Sequence, residues 1–183
     1  DPKKKETISL SFSLTTTNNP ELQAVAELIK AGWEKLGAKV DLKVLEIGAL
    51  NQNIIRPRQY EALLFGEIIG RFPDPFAFWH SAKRLDPGLN VALYANPTVD
   101  KLLENIRTSS DPNQRQQKYT EFSKIIRQDS AAVFLYSPDF LYFLPTNLRG
   151  VKLPPINIAA ERLSGIYHWY LNTETVWPIF LKK

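Results

Sequence analysis

A chain of 183 residues with 44% hydrophobic and 23% charged residues has the composition of a folded domain and can bury one sizeable core. Its 23 Lys and Arg exceed its 19 Asp and Glu by a formal +4. Apart from Lys3–Lys5 and Lys182–Lys183 the basic residues are interspersed with acids, so no basic stripe for nucleic acid is formed. The lack of cysteine removes disulfides, thiolate metal sites and a cysteine nucleophile.

No apolar run reaches the roughly 18 residues of a membrane span, and with no methionine the chain is read as a mature fragment or an excised domain. In chain order, Ile8, Leu10, Phe12 and Leu14 alternate with serines, which predicts a half-buried strand over Thr7–Leu14. Asn19-Pro20 then offers a helix cap and first position. Leu22, Val25, Ala26, Ile29, Trp33 and Leu36 follow on one helical face, and Gly37 closes it. Val40, Leu42, Val44 and Ile47 alternate again as a second strand, completing a βαβ pattern. A short helix is expected over Ala49–Ile55, ended by Arg56-Pro57-Arg58, and the apolar run Tyr60–Ile69 reads as a buried strand.

Pro73 and Pro75 forbid ladder pairing in the next segment. Asn96-Pro97 and Asp111-Pro112 announce two more helices, with Val99, Leu102, Leu103 and Ile106 on the first and Tyr119, Phe122, Ile125 and Ile126 on the second. Strands are expected over Ala132–Tyr136 and Phe140–Leu144, separated by Ser137-Pro138-Asp139. The pattern loosens after Asn147. This order predicts one α/β domain with a mixed β-sheet flanked by helices.

Enzyme signatures are absent: the sequence holds no phosphate loop, nucleophile elbow or His-Glu-x-x-His. His80 and His168 lie far apart in sequence, which speaks against a histidine-based metal site. No cofactor and no catalytic residue is expected. The segment from Phe65 to Ser81 carries the most information, because it leaves a strand and gathers charges, prolines, aromatics and a histidine. In open α/β sheets, ligands sit beyond the carboxyl ends of the strands. The candidate ligand-binding residues are Gly66, Glu67, Gly70, Arg71, Phe72, Trp79, His80 and Tyr94. The bland reading makes Phe76, Phe78 and Trp79 core plugs and Asp74 a helix cap, with Asn90 tying down its loop.

Asp74-Pro75-x-x-Phe78, then Leu89-Asn90-x-x-x-Tyr94-x-Asn96-Pro97-x-x-Asp100-x-Leu102-Leu103, resembles the family 5 extracellular solute-binding proteins. These are the dipeptide-, oligopeptide- and nickel-binding components of ABC importers. Asp111-x-x-x-Arg115-x-x-x-Tyr119, Gln128–Tyr136, and the opening Leu14-x-x-x-x-Asn19-Pro20 with Leu36–Val40 match in the same order. The resemblance implies a periplasmic-binding-protein-like (type II) lobe, one half of a clamp that closes on solute. It divides the chain into a terminal extension (1–6), a C-terminal solute-binding lobe (7–150) and an irregular tail (151–183). By the same resemblance the tail returns toward an N-terminal lobe missing from this chain, with Tyr167, Trp169, Tyr170 and Trp177 exposed; the alternative is a C-terminal strand packed on this domain's own core. It further implies a peptide or other small solute, an ABC transporter permease as partner, and an extracytoplasmic location in the periplasm or anchored as a lipoprotein.

One position departs from the pattern. Peptide-binding members commonly carry an aspartate, three residues before the Asp-Pro aspartate, that pairs with the peptide's amino terminus; here that residue is Arg71. Arginine repels an ammonium group and clamps carboxylate or phosphate instead, while Glu67 offers a substitute negative charge. A small α/β enzyme with dispersed catalytic residues, or a sensor domain of the same fold, is the alternative.

Overall fold

The computed structural model describes residues 10–68, 74–153, 156 and 158–171. The chain divides into two compact units: Asp1–Glu67 with Asp74–Val133, and Ile68–Pro73 with Phe134–Lys183.

In the first unit β1 (Ser11–Thr17) runs parallel to β2 (Lys39–Leu45) on one side and to β3 (Ala62–Leu63) on the other. The sheet order is therefore β2-β1-β3. Between β1 and β2 lies α1 (Pro20–Lys35), as the apolar spacing predicts. β1 runs on beyond Leu14 through three threonines that look like a turn in sequence. They are buried there (Thr16 is 0% exposed) because β-branched side chains suit the sheet centre. The Thr16 hydroxyl meets its need for a partner by donating to the Leu64 carbonyl at 3.1 Å.

The expected strand over Tyr60–Ile69 shrinks to the two residues of β3. The helix expected at Ala49 begins earlier, as α2 (Ile47–Leu50), because Glu46 caps it, and it continues as a π-helical turn over Asn51–Ile55. Leu14, Ala26, Val40 and Leu64 are the buried centre of the sheet–helix layer. Leu36, expected on the buried face of α1, follows the last helical residue and is 85% exposed.

The other half of this unit is helical. A short α3 (Phe76–Trp79) precedes α4 (Pro97–Thr108) and α5 (Pro112–Gln128). Val99, Leu103 and Ile106 of α4 pack with Phe122 and Ile126 of α5, the residues that the two periodic patterns single out.

In the second unit, β4 (Leu148–Arg149) pairs antiparallel with β5 (Tyr170–Leu171). The strands expected at Ala132–Tyr136 and Phe140–Leu144 are not assigned as strands among the described residues. Tyr167 and Tyr170 are exposed; Trp177 lies outside the described residues.

Candidate functional site

All three parallel strands end at the same edge, at Thr17, Leu45 and Leu63. Beyond that edge lies an open crevice of about 440 Å3. Thr17 and Asn18 line it from the end of β1, Asn19 and Leu22 from the start of α1, Ile47 from α2, and Phe65 and Gly66 from the chain after β3. A central strand with connections leaving it to either side is where open α/β sheets hold ligands. The Asn18 N–H donates to the Leu45 carbonyl at 2.8 Å, tying the β1 exit to β2. Asn19 Oδ1 accepts from the Glu21 and Leu22 N–H groups at 2.9 and 3.2 Å, so the capping read from sequence is observed.

Gly66 is exposed, and a Cβ on it would meet nothing within 4 Å. Glu67 follows. Neighbouring atoms crowd its carboxyl although the residue as a whole is exposed, and this desolvation pushes it up to about 7. A hollow of about 480 Å3 also runs along α5, but its lining from Gln116 to Gln128 comes from that helix alone. It gathers no converging groups from different elements, unlike the crevice.

Trp79, His80 and Tyr94 belong to the packing of the helices. Trp79 meets Tyr94 and Phe122 edge-on at 6.2 and 6.4 Å between centroids. His80 is buried; its Nδ1 accepts from the Ala82 N–H at 3.1 Å, starting the 3-10 turn Ser81–Lys83. Its ring stacks on Phe76 at 4.1 Å, and the Arg107 guanidinium lies 4.2 Å over the Phe76 centroid. The Tyr94 hydroxyl donates to Asp129 at 2.5 Å; burial first, then this bond, push the phenol up to about 12. Asn90, fully buried, donates from Nδ2 to the His80 and Tyr94 carbonyls and accepts from the Tyr94 N–H, as the loop-tying reading expects.

Asp74 accepts from the Phe76 N–H at 3.2 Å through one oxygen, and its other oxygen takes two Arg107 contacts at 3.0 and 2.8 Å. The cap position of α3 is Pro75 and not Asp74 as expected; Asp74 sits one residue earlier, bonded to the Phe76 N–H and joined to α4 by the Arg107 ion pair. Of the candidates, the structure brings Gly66 to the crevice and places Glu67 next in the chain, and it sets Trp79, His80 and Tyr94 among the helices. Gly70, Arg71 and Phe72 lie outside the described residues. Sequence reading missed Thr17, Asn18, Asn19, Leu22, Ile47 and Phe65 as crevice lining. The available signal was positional for Asn18 and Asn19, which follow β1, whereas Leu22 lies inside α1 and Phe65 inside the strand expected from sequence. Among the described residues no group of three His, Cys, Asp or Glu side chains can hold a metal ion, and no helix is long and apolar enough to cross a membrane.

No family model matches the chain. It is 29% identical to the oligopeptide-binding protein AppA of Bacillus subtilis over 169 residues, 91% of this chain and 30% of that protein. The solved structure of AppA with a nonapeptide superposes with a TM-score of 0.71 at 28% identity, covering 93% of this chain and 33% of that one. The chain is a homologue of bacterial oligopeptide- and dipeptide-binding proteins. The probable D,D-dipeptide-binding periplasmic protein DdpA of Escherichia coli is 29% identical over 152 residues, 81% of this chain and 29% of that protein. The fold is also that of NikZ from Campylobacter jejuni, solved with Ni(L-His), at a TM-score of 0.67 and 20% identity, covering 91% of this chain and 34% of that one. By their names AppA and DdpA are binding proteins rather than enzymes. The chain spans about three tenths of the length of these curated relatives.

Proposed function

We propose that this chain forms one wall of the solute cleft of an extracytoplasmic binding protein serving an ABC importer, and that its solute is a peptide or a related small molecule. The observation that carries this reading is the crevice at the common carboxyl edge of β1, β2 and β3, in a fold shared with a nonapeptide-binding relative over 93% of this chain. Gly66 and Glu67 are the ligand-facing candidates of that edge. Arg71 joins them on sequence grounds, as a cation where peptide-binding members commonly carry an aspartate. Gly70 and Phe72 flank it as candidates on the same basis. Trp79, His80 and Tyr94 act from behind, holding the chain that follows Asp74 through packing and capping bonds.

The second wall comes from a companion lobe, with residues 151–183 as the stretch that reaches it. The importer's permease receives the loaded protein. The location is outside the cytoplasm, in the periplasm or held by a lipid anchor.

The test is mass spectrometry of small molecules that co-purify with the complete protein, followed by calorimetric titration with the solute found. A peptide-like solute is expected, and Arg71→Ala should weaken its binding by roughly tenfold or more, the usual cost of removing a charged ligand contact. If nothing co-purifies and neither peptides nor metal chelates bind, the reading fails. If Arg71→Ala leaves affinity unchanged, only the arginine assignment fails.

A further inference from the structure

We propose that the strand-end crevice excludes anionic groups, that Asn19 and Glu46 are the residues responsible, and that the part of the solute lodged there is cationic or uncharged. This deepens the binding role proposed above and rests on it. Crevices at the edge of parallel sheets commonly attract anions, because unpaired N–H groups and the positive end of a helix dipole point into them.

In this chain the opening turn of α1 has no N–H left to give. Pro20 lacks one. Glu21 and Leu22 donate to the Asn19 side chain, and the Gln23 N–H donates to the Asn19 carbonyl at 2.9 Å.

The start of α2 is closed by a charge. Glu46 Oε2 accepts from the Gly48 and Ala49 N–H groups at 2.8 and 3.1 Å, and the Leu50 N–H donates to the Glu46 carbonyl at 2.8 Å. The bonds from Gly48 and Ala49 hold the Glu46 carboxyl below the usual carboxylate range, so its negative charge persists next to the lining residue Ile47. Gly48 makes the arrangement possible, since a Cβ there would stand 2.9 Å from Glu46 Oε2.

Among the described residues, none that lines the crevice carries a positive charge. An entering anion therefore meets no unpaired N–H of the α1 opening turn and, among the described residues, no lining cation, with the Glu46 carboxylate held at the start of α2 beside the lining residue Ile47. An ammonium group or an apolar side chain meets neither obstacle, and Leu22, Ile47 and Phe65 offer it apolar wall.

The experiment titrates the complete protein with tripeptides carrying Lys, Leu or Glu at each position in turn, at low and at physiological salt. At one position or more, Glu is expected to bind roughly tenfold more weakly than Leu at low salt, the penalty of like charges brought together. The gap should narrow at physiological salt, because exposed charges are screened. Glu46→Gln keeps an oxygen for the Gly48 and Ala49 N–H groups while removing the charge. It should shrink the glutamate penalty roughly threefold or more and leave the Leu peptide unchanged. If the wild-type chain accepts Glu at every position as well as Leu, the proposal is overturned and the binding role stands. A penalty that Glu46→Gln does not move overturns the assignment to Glu46. Failure of every peptide to bind counts against the binding role itself.

Discussion

At the scale of single residues, Glu67 shows how position and environment combine. Its carboxyl is pushed up to about 7 by desolvation, from an ordinary value of 4.5. A carboxyl raised in the folded state holds its proton more tightly there than in the unfolded chain. Between pH 4.5 and 7 the folded state thus binds more protons, and this residue's contribution to stability falls as pH rises through that window. Glu67→Gln removes the titrating group. Its stability relative to wild type should be flat below the window, climb within it, and level off above. Denaturation midpoints of the two proteins across pH check this, and a constant difference would show that Glu67 titrates alike in both states. The residue was legible as a candidate because it lies near the end of an apolar run that reads as a strand. Its crowding was not, since the atoms that desolvate a carboxyl are assembled only by the fold.

At the scale of elements, the helices were the most legible part. Asn96 and Asp111 sit before prolines and cap as that pattern implies: Asn96 Oδ1 accepts from the Thr98 N–H and Asp111 Oδ1 from the Asn113 N–H, both at 2.9 Å. Their apolar periodicity also names the seam between α4 and α5, whose Leu103 is 1% exposed. Leu103→Ala leaves a cavity there and should cost about 3 kcal/mol. Leu102→Ala, at a half-buried position one residue away, should cost less than half as much. Urea midpoints at unchanged slope would report both; equal losses would mean that the seam is not where the packing places it. The strands were harder to read. A strand's limits depend on which chain lies beside it, and no local pattern records that β3 meets β1 over only two pairs, Leu14 with Ala62 and Thr15 with Leu63. Thr15–Thr17 look like a polar turn in isolation and become buried strand once β2 pairs with β1 as far as Thr17 and Leu45.

At the scale of the whole molecule, the two units differ in what holds them. Every buried hydrophobic residue among the described residues, from Leu14 to Ile126, lies in the first unit. The described ladder of the second unit is β4 with β5, two pairs long, with Tyr170 and Leu171 exposed. A ladder that short has little burial to resist opening, whereas β1 and β2 share seven paired positions, from Ser11 with Lys39 to Thr17 with Leu45, beneath α1. Local opening free energies follow such differences. Backbone amides of Leu148, Arg149, Tyr170 and Leu171 should therefore exchange with solvent roughly a hundredfold faster than those at the centre of β1, a gap of about 2.7 kcal/mol in opening free energy. Low concentrations of denaturant should leave the fast class unchanged, since a two-pair ladder exposes little surface when it opens, and should speed the slow class steeply. Residue-resolved exchange measures both quantities. Matching rates and matching denaturant slopes in the two ladders would mean that the units unfold together, with the second held by more than its described ladder.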